Sequence, residues 1–331
     1  MEDFEHSTCR NNYCNISSQT VSVEIQKVSH IQKHDWLIYI LQKLFWITTG
    51  FQSLIALDRL LHLSLRLFGP KYNPPSMNPK LMANNYPLVT VHLPMYNETA
   101  FCQSIIDCVC NLDYPKNRLY VRVLDDSTDK RTIDLVNKSV KLWRRRGIQI
   151  DIQRRILRHG FKAGSLNEAM LYTRGAEYVA IFDVDFLPEA DFLLRTIPSL
   201  IANPDAAFVQ TRWTFTNEKE SFLTRMQEIS LNYHHKCEQE ARCRASFFMN
   251  FNGTAGVWRI SAIEQSGGWN TDTLVEDLDL SLRAYLNGWI SIYLSDVECQ
   301  NELPPTFAAY LSQQHRWTTG PVQVLRKLIG Q

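Results

Sequence analysis

The sequence predicts an α/β fold built on a mostly parallel sheet and preceded by an N-terminal membrane helix. Three observations carry that expectation. Short β-branched or apolar runs at 88–93, 119–124, 149–153, 178–182 and 207–211 alternate with helical stretches at 99–110, 130–146, 164–173 and 190–202. Such alternation is the pattern of parallel strands joined by crossover helices. Ahead of it, Trp36–Phe68 is dominated by Leu, Ile, Phe and Trp. Finally, 331 residues with 45% hydrophobic and 21% charged side chains make an ordinary globular composition, not a disordered or fibrous one.

Taken in order, residues 1–35 read as a polar N-terminal tail. The triplet Asn15-Ile16-Ser17 is a glycosylation sequon that needs a luminal terminus to be used. No apolar h-region marks a signal peptide. Residues 36–70 form a transmembrane or interfacial segment. Trp36 to Ala56 can span a bilayer at ~1.5 Å per residue, although Gln42, Lys43 and Gln52 weaken it. Asp58, His62 and Arg66 recur every four residues and share one helical stripe, which suits a membrane interface. The alternative is a long amphipathic helix lying on a soluble domain. Lys33 before the segment and Arg66 and Lys71 after it give no positive-inside bias. Residues 71–86 contain Pro74, Pro75 and Pro79 and read as a linker. Residues 87–303 hold the α/β domain, and 304–331 a terminal segment of separate character.

Charge and cysteine content exclude several classes. Lys and Arg total 35 against 34 Asp and Glu, so the net charge is +1 and a general nucleic-acid binder is not expected. Eight cysteines are too few for a disulfide scaffold, and with no C-x-x-C among them a structural zinc site is not expected either.

In parallel sheets, ligands bind beyond the carboxyl ends of the strands. Three successive strands there deliver polar or acidic residues: Tyr96-Asn97-Glu98, Asp125-Asp126-Ser127-Thr128-Asp129, and Asp183-Val184-Asp185. Asp129 reads as the N-cap of the next helix. A cap does not explain Asp183 with Asp185. On an extended chain both carboxylates point the same way, and their repulsion calls for a cation. A divalent metal with hard oxygen ligands answers that need.

The run Lys141–Lys162 carries eight Lys and Arg against Asp151 alone and reads mostly as a solvated face. Lys162 is the exception, because it follows Gly160 at a helix start where an anion can bind. Glu276-Asp277 opens an apolar helix, where Asp277 could simply favour the helix N-terminus. Gln313, Arg316 and Trp317 fall near the C-terminus. Trp beside Arg is commonly a packing pair, but it is also how proteins hold sugars and diphosphates.

Taken together, Asp126, Asp183-x-Asp185, Glu276-Asp277 and Gln313-x-x-Arg316-Trp317 resemble the ordered D, DxD, ED, QxxRW signature of processive family 2 glycosyltransferases, over residues 36–329. PMYNE, VLDDSTD, GFKAG, LTRMQEISLNYHHKCEQE, FNGTAGVWRI, GGW, VEDLDL and QQHRW are similar to the cellulose synthase-like A and C groups. Tyr96, Thr128 and RMQEISLNYH lean towards the A group, the mannan and glucomannan synthases. Val184, Thr318-Thr319 and Met249-Asn250 depart from the usual pattern and point to a divergent member.

The resemblance implies a glycosyltransferase-A, Rossmann-like fold and a Golgi membrane enzyme. It implies inverting transfer from GDP-mannose to the 4-hydroxyl of a growing β-glycan, with UDP-glucose as the alternative donor, and leaves room for a homo-oligomer. It assigns Asp277 as general base and, with Asp126, as catalytic. Asp183 and Asp185 would bind Mn²⁺ or Mg²⁺. Tyr96, Asn97, Glu98, Asp125, Asp126, Lys162, Asp183 and Arg316 would hold the nucleotide sugar, and Gln313, Arg316 and Trp317 the acceptor. It also implies that membrane channel helices should follow residue 331. Two readings from other classes are a dehalogenase-type phosphatase using Asp183-x-Asp185, which leaves QxxRW unexplained, and a non-catalytic synthase subunit. Lipid-linked monosaccharide synthases share the early motifs but lack QxxRW.

Overall fold

A computed structural model describes residues 9–75 and 86–330, with side chains described from residue 36 onward. The side chains of Asn15 of the sequon, Cys9 and Cys14, and the middle of the expected linker, lie outside the described residues. The chain forms two compact units, divided between Leu61 and His62.

The first unit is built on α1, which runs Cys9–Phe68. The expected polar tail is therefore helical from Cys9, and the two apolar stretches join in one helix. No Pro or Gly-rich turn interrupts the sequence there. Trp36–Phe68 is 33 residues long and contains an 18-residue window of mean hydropathy 1.2 with none of its residues buried, long and apolar enough to cross a membrane.

The second unit is an eight-stranded sheet between two layers of helices. Its strands are β1 (Val89–Met95), β2 (Leu119–Asp125), β3 (Gln149–Gln153), β4 (Tyr178–Ile181), β5 (Leu187–Pro188), β6 (Ala206–Phe215), β7 (Gly256–Arg259) and β8 (Ile290–Asn301), in the order β3-β2-β1-β4-β7-β6-β8-β5. One core packs α2 (Cys102–Cys110), α3 (Lys130–Arg145) and α5 (Phe192–Ala202) on one face. The other packs α4 (Phe161–Ala169), α8 (Ile260–Gln265) and α9 (Glu276–Leu286) on the opposite face. Strand alternation divides the residues between them: Tyr178, Ala180 and Phe182 enter the first core, Val179 and Ile181 the second.

The sheet is mostly parallel, as expected, with only β7 and β5 running against the other strands. β3, β2, β1 and β4 are parallel, but β7 is antiparallel to both β4 and β6. The four residues of β7 sit inside a stretch rich in turn residues, so alternation could not reveal it. β8 pairs in parallel with β6 and carries a register shift opposite Thr211/Arg212. Two further helices, α6 (Phe222–Tyr233) and α7 (Gln239–Arg244), are joined by a π-turn at His234–Glu238. The last helix, α10 (Phe307–Ile329), carries the QxxRW residues.

Candidate active site

A cleft of about 840 Å³ opens at the carboxyl ends of β1, β2 and β4, where the strand order reverses direction. The starts of α4 and α9 and one side of α10 complete it.

At the β1–β2 end, arginines from the loop after β3 hold the carboxylates in place. Asp125 is 1% exposed and accepts from Arg154 Nε at 2.9 Å and Nη2 at 2.7 Å. Its side chain does not line the cleft, contrary to the sequence expectation. Asp126 does line it, and both its oxygens accept from Arg155, at 3.0 and 2.5 Å. Arg144 pairs with Asp151 at 2.6 Å. Most of the basic run is the expected solvated face, with Lys141, Arg144, Arg145 and Arg146 exposed, while Arg154, Arg155 and Arg158 turn to Asp125 and Asp126.

Asn97 also departs from its assigned role. Its φ of 58° is a left-handed conformation that Asn tolerates. Its Oδ1 accepts from the N–H groups of Thr128 (2.8 Å) and Asp129 (2.9 Å), and its own N–H donates to Ser127 Oγ at 2.9 Å. Asn97 therefore ties the β1 loop to the β2 loop. Asp129 is the expected N-cap, accepting from Thr132 N at 2.9 Å. Tyr96 stays at the cleft wall, with the Arg158 guanidinium 3.4 Å over its ring. Arg158 Nε is buried without a hydrogen-bond partner and lies 3.7 Å from Asp126.

In the middle stand Asp183 and Asp185. The chain turns here instead of staying extended, with Phe186 N donating to Asp183 O at 3.0 Å. Val184 is buried by that turn, and both carboxylates still line the cleft. Asp183 N donates to Thr254 Oγ1 at 2.8 Å, fixing the turn against the β7 approach. Lys162, on the first turn of α4, reaches Asp183 Oδ1 at 2.5 Å and donates to Gly253 O at 3.0 Å. Gly160 ahead of it has φ 68°, and a Cβ there would lie 2.4 Å from Thr271 Cγ2.

Negative charge is in excess here. Burial, then the charges of Asp183 and Asp185, raise Glu98 to about 7. Burial, then Asp183, raises Asp185 to about 6. Among the described residues no three His, Cys, Asp or Glu side chains gather into a ready-made metal cluster. The donor set still fits a hard dication. Such ions commonly take one or two carboxylates and leave other positions to water and phosphate, and the excess charge is what a cation would relieve.

At the α9 end, Asp277 is pushed up to about 7 by burial and then by neighbouring Glu276. Its Oδ1 accepts from Leu278 N at 2.8 Å. Gly253, with φ 82°, lies against it: a Cβ there would sit 3.0 Å from Asp277 Oδ2. Gln313, Arg316 and Trp317 line the same cleft, with Trp317 36% exposed. α10 is latched to the loop before α9. Gln323 Oε1 accepts from Leu274 N at 3.0 Å, Lys327 pairs with Asp272 and Asp279, and Gly320 lies against Val275.

The structure thus gathers Tyr96, Glu98, Asp126, Lys162, Asp183, Asp185, Asp277, Gln313, Arg316 and Trp317 around one cleft. It leaves Asn97 and Asp125 out. The sequence reading missed Arg155, Arg158 and Thr254. The run Arg154-Arg155-Ile156-Leu157-Arg158 directly after β3 was a weak signal for the first two.

A mixed α/β sheet with paired carboxylates at the end of its central strand defines a glycosyltransferase-A-like fold. The description "Glycosyl transferase family group 2" matches residues 178–330. Glucomannan 4-beta-mannosyltransferase 7 of Arabidopsis thaliana is 50% identical over 249 residues, covering 75% of this chain and 45% of that protein. Glucomannan 4-beta-mannosyltransferase 1 of Oryza sativa subsp. japonica is 49% identical over 257 residues, covering 77% and 49%. The chain therefore spans about half the length of these relatives. Mannosyltransferase PcManGT from Pyrobaculum calidifontis, solved in complex with GDP-Man and Mn2+, shares the fold with a TM-score of 0.68 at 23% identity, over 86% of this chain and 74% of its own. The chain carries a family 2 glycosyltransferase domain and is homologous to the glucomannan 4-β-mannosyltransferases of the cellulose synthase-like A group. The match includes Asp183 and Asp185, so the phosphatase reading of that pair falls away.

Proposed function

We propose that this chain carries the catalytic machinery of a membrane-anchored glucomannan 4-β-mannosyltransferase, which transfers mannose from GDP-mannose with inversion to the 4-hydroxyl of a β-1,4-linked acceptor. One observation carries the reading: a part-buried carboxyl, Asp277, lines the same cleft as the Asp183/Asp185 pair, and desolvation together with neighbouring Glu276 raises it to about 7. A general base works best with a pKa near the operating pH. Ionised Asp277 takes the proton from the acceptor hydroxyl as that oxygen attacks the anomeric carbon.

The other residues bind and orient. Asp183 and Asp185 would hold Mn²⁺ or Mg²⁺, which would supply Lewis-acid neutralisation of charge on the departing diphosphate. Arg316 and Lys162 offer further positive charge to the diphosphate. Tyr96 and Arg158 receive the base. A guanidinium fork matches the adjacent O6 and N7 acceptors of guanine, which favours GDP over UDP. Asp126 orders the Arg155–Arg158 loop through Arg155. Trp317 offers its ring face to the acceptor sugar, with Gln313 beside it. Trp36–Phe68 anchors the protein, in the Golgi membrane.

The test supplies labelled GDP-mannose or UDP-glucose with Mn²⁺ and a β-1,4-mannan oligosaccharide. The expected product forms from GDP-mannose and is degraded by endo-β-mannanase. Transfer from UDP-glucose alone would overturn the donor assignment.

A further inference from the structure

The Lys162 ammonium lies where its charge opposes metal binding. Nζ is 2.5 Å from Asp183 Oδ1, 3.9 Å from Glu276 Oε1, and within hydrogen-bond reach of Gly253 O at 3.0 Å. Eight carboxylates line the same cleft, among them Glu98, Asp183, Asp185, Glu276 and Asp277. Among the described residues Lys162 is the one cation paired with either member of the Asp183/Asp185 pair. Like charges repel strongly at such separations in a partly desolvated site. A dication taken up by Asp183 would stand a few ångströms from this ammonium.

We infer that Lys162 is a built-in competitor of the divalent metal at Asp183, and that it makes metal and nucleoside diphosphate bind as a coupled pair. The inference rests on the metal and donor reading given above. Metal entering alone meets an uncompensated ammonium, so its affinity is low. The diphosphate supplies anionic oxygens to both cations and removes that penalty. A flexible four-carbon stem lets the ammonium turn from the carboxylate to a phosphate without moving α4. Linkage makes the effect reciprocal: whatever factor GDP adds to metal affinity, metal adds to GDP affinity. In physical terms, Lys162 keeps Asp183 charge-balanced until the donor arrives and then changes partner. The enzyme is thereby spared loading with metal in a form that cannot bind donor productively.

The experiment measures Mn²⁺ affinity by electron paramagnetic resonance, with and without saturating GDP, for the full chain and for Lys162→Gln and Lys162→Arg. Thermal melts confirm that each variant is folded. In the unsubstituted protein, GDP tightens Mn²⁺ binding at least tenfold. In Lys162→Gln, Mn²⁺ alone binds several-fold more tightly and the GDP effect shrinks to less than threefold. Lys162→Arg keeps a cation at the site and retains most of the coupling. Mn²⁺ affinity unmoved by Lys162→Gln, with coupling intact, overturns this inference and leaves the metal reading standing. Absence of Mn²⁺ binding in all three proteins, with or without GDP, overturns the metal reading and the inference with it.

Discussion

The two ends of the cleft treat their carboxylates differently. At the β1–β2 end, Asp125 and Asp126 are each held by an arginine, Arg154 and Arg155, through two hydrogen bonds apiece. Towards the middle and the α9 end, Glu98, Asp185 and Asp277 form no salt bridge among the described residues, and desolvation together with a neighbouring carboxylate (Asp183 for Glu98 and Asp185, Glu276 for Asp277) raises all three. A carboxylate with a bidentate partner fixes a loop. One buried beside like charges retains free energy that a cation, a proton or a substrate hydroxyl can relieve. By that criterion the sequential neighbours Asp125 and Asp126 are architecture, and the more distant trio is chemistry.

The comparison breaks most sharply at Asp277. Asp277→Asn should lower mannosyl transfer by ~10²–10⁴-fold, the range of a general base, while GDP affinity measured calorimetrically stays within a factor of two. Loss of GDP binding instead would assign Asp277 to the donor site. Next, Arg158→Ala should lower the preference for GDP over UDP by ~10–100-fold, the worth of a bidentate contact to guanine. Equal weakening of both nucleotides would mean that Arg158 serves only the Tyr96 stack.

On the architectural side, Asp125→Asn should cost ~1–3 kcal/mol of stability by unmaking hydrogen bonds to a charged group. The lower end is expected, because Arg154 is part-exposed and screened. Denaturant melts measure the loss, and transfer per folded molecule should be unchanged.

The smallest effect is a pH-dependent one. The carboxyl of Asp277 keeps its proton in the fold up to about pH 7, whereas in the unfolded chain it would ionise from about 3.8. Its raised pKa therefore contributes stability below pH 4 that is lost as pH rises through 7. Asp277→Asn should raise the melting temperature at pH 8 by ~2–4 °C, equivalent to ~1 kcal/mol, and leave it unchanged or lower at pH 4. A gain at pH 4 as large as at pH 8 would mean that repacking, not charge, is responsible.

Much of this was legible in the sequence because strand ends are where apolar periodicity stops. The runs LVTVHL, LYVRVL and YVAIF predicted β1, β2 and β4, and with them the positions of Glu98, Asp126, Asp183 and Asp185. Asp277 and the Gln313–Trp317 group were legible through the order of motifs, not through periodicity. What escaped depended on long-range pairing. β7 is only four residues long, and its strand character comes from its neighbours β4 and β6. Asn97 looked like a ligand contact because nothing local shows its amide reaching two N–H groups thirty residues on. Arg154 and Arg155 were not told apart from the solvated part of the basic run because their carboxylate partners, at the end of β2, lie about thirty residues earlier.

The contrast between paired and unpaired carboxylates is tested most directly by the pH dependence of mannosyl transfer from GDP-mannose to a β-1,4-mannan acceptor at saturating donor and Mn²⁺. The rate should fall as pH drops through an inflection near 7, where Asp277 takes up its proton, and Asp277→Asn should remove the inflection and lower the rate ~10²–10⁴-fold. A flat profile from pH 5 to 9, or transfer by Asp277→Asn at the unsubstituted rate, would contradict the account.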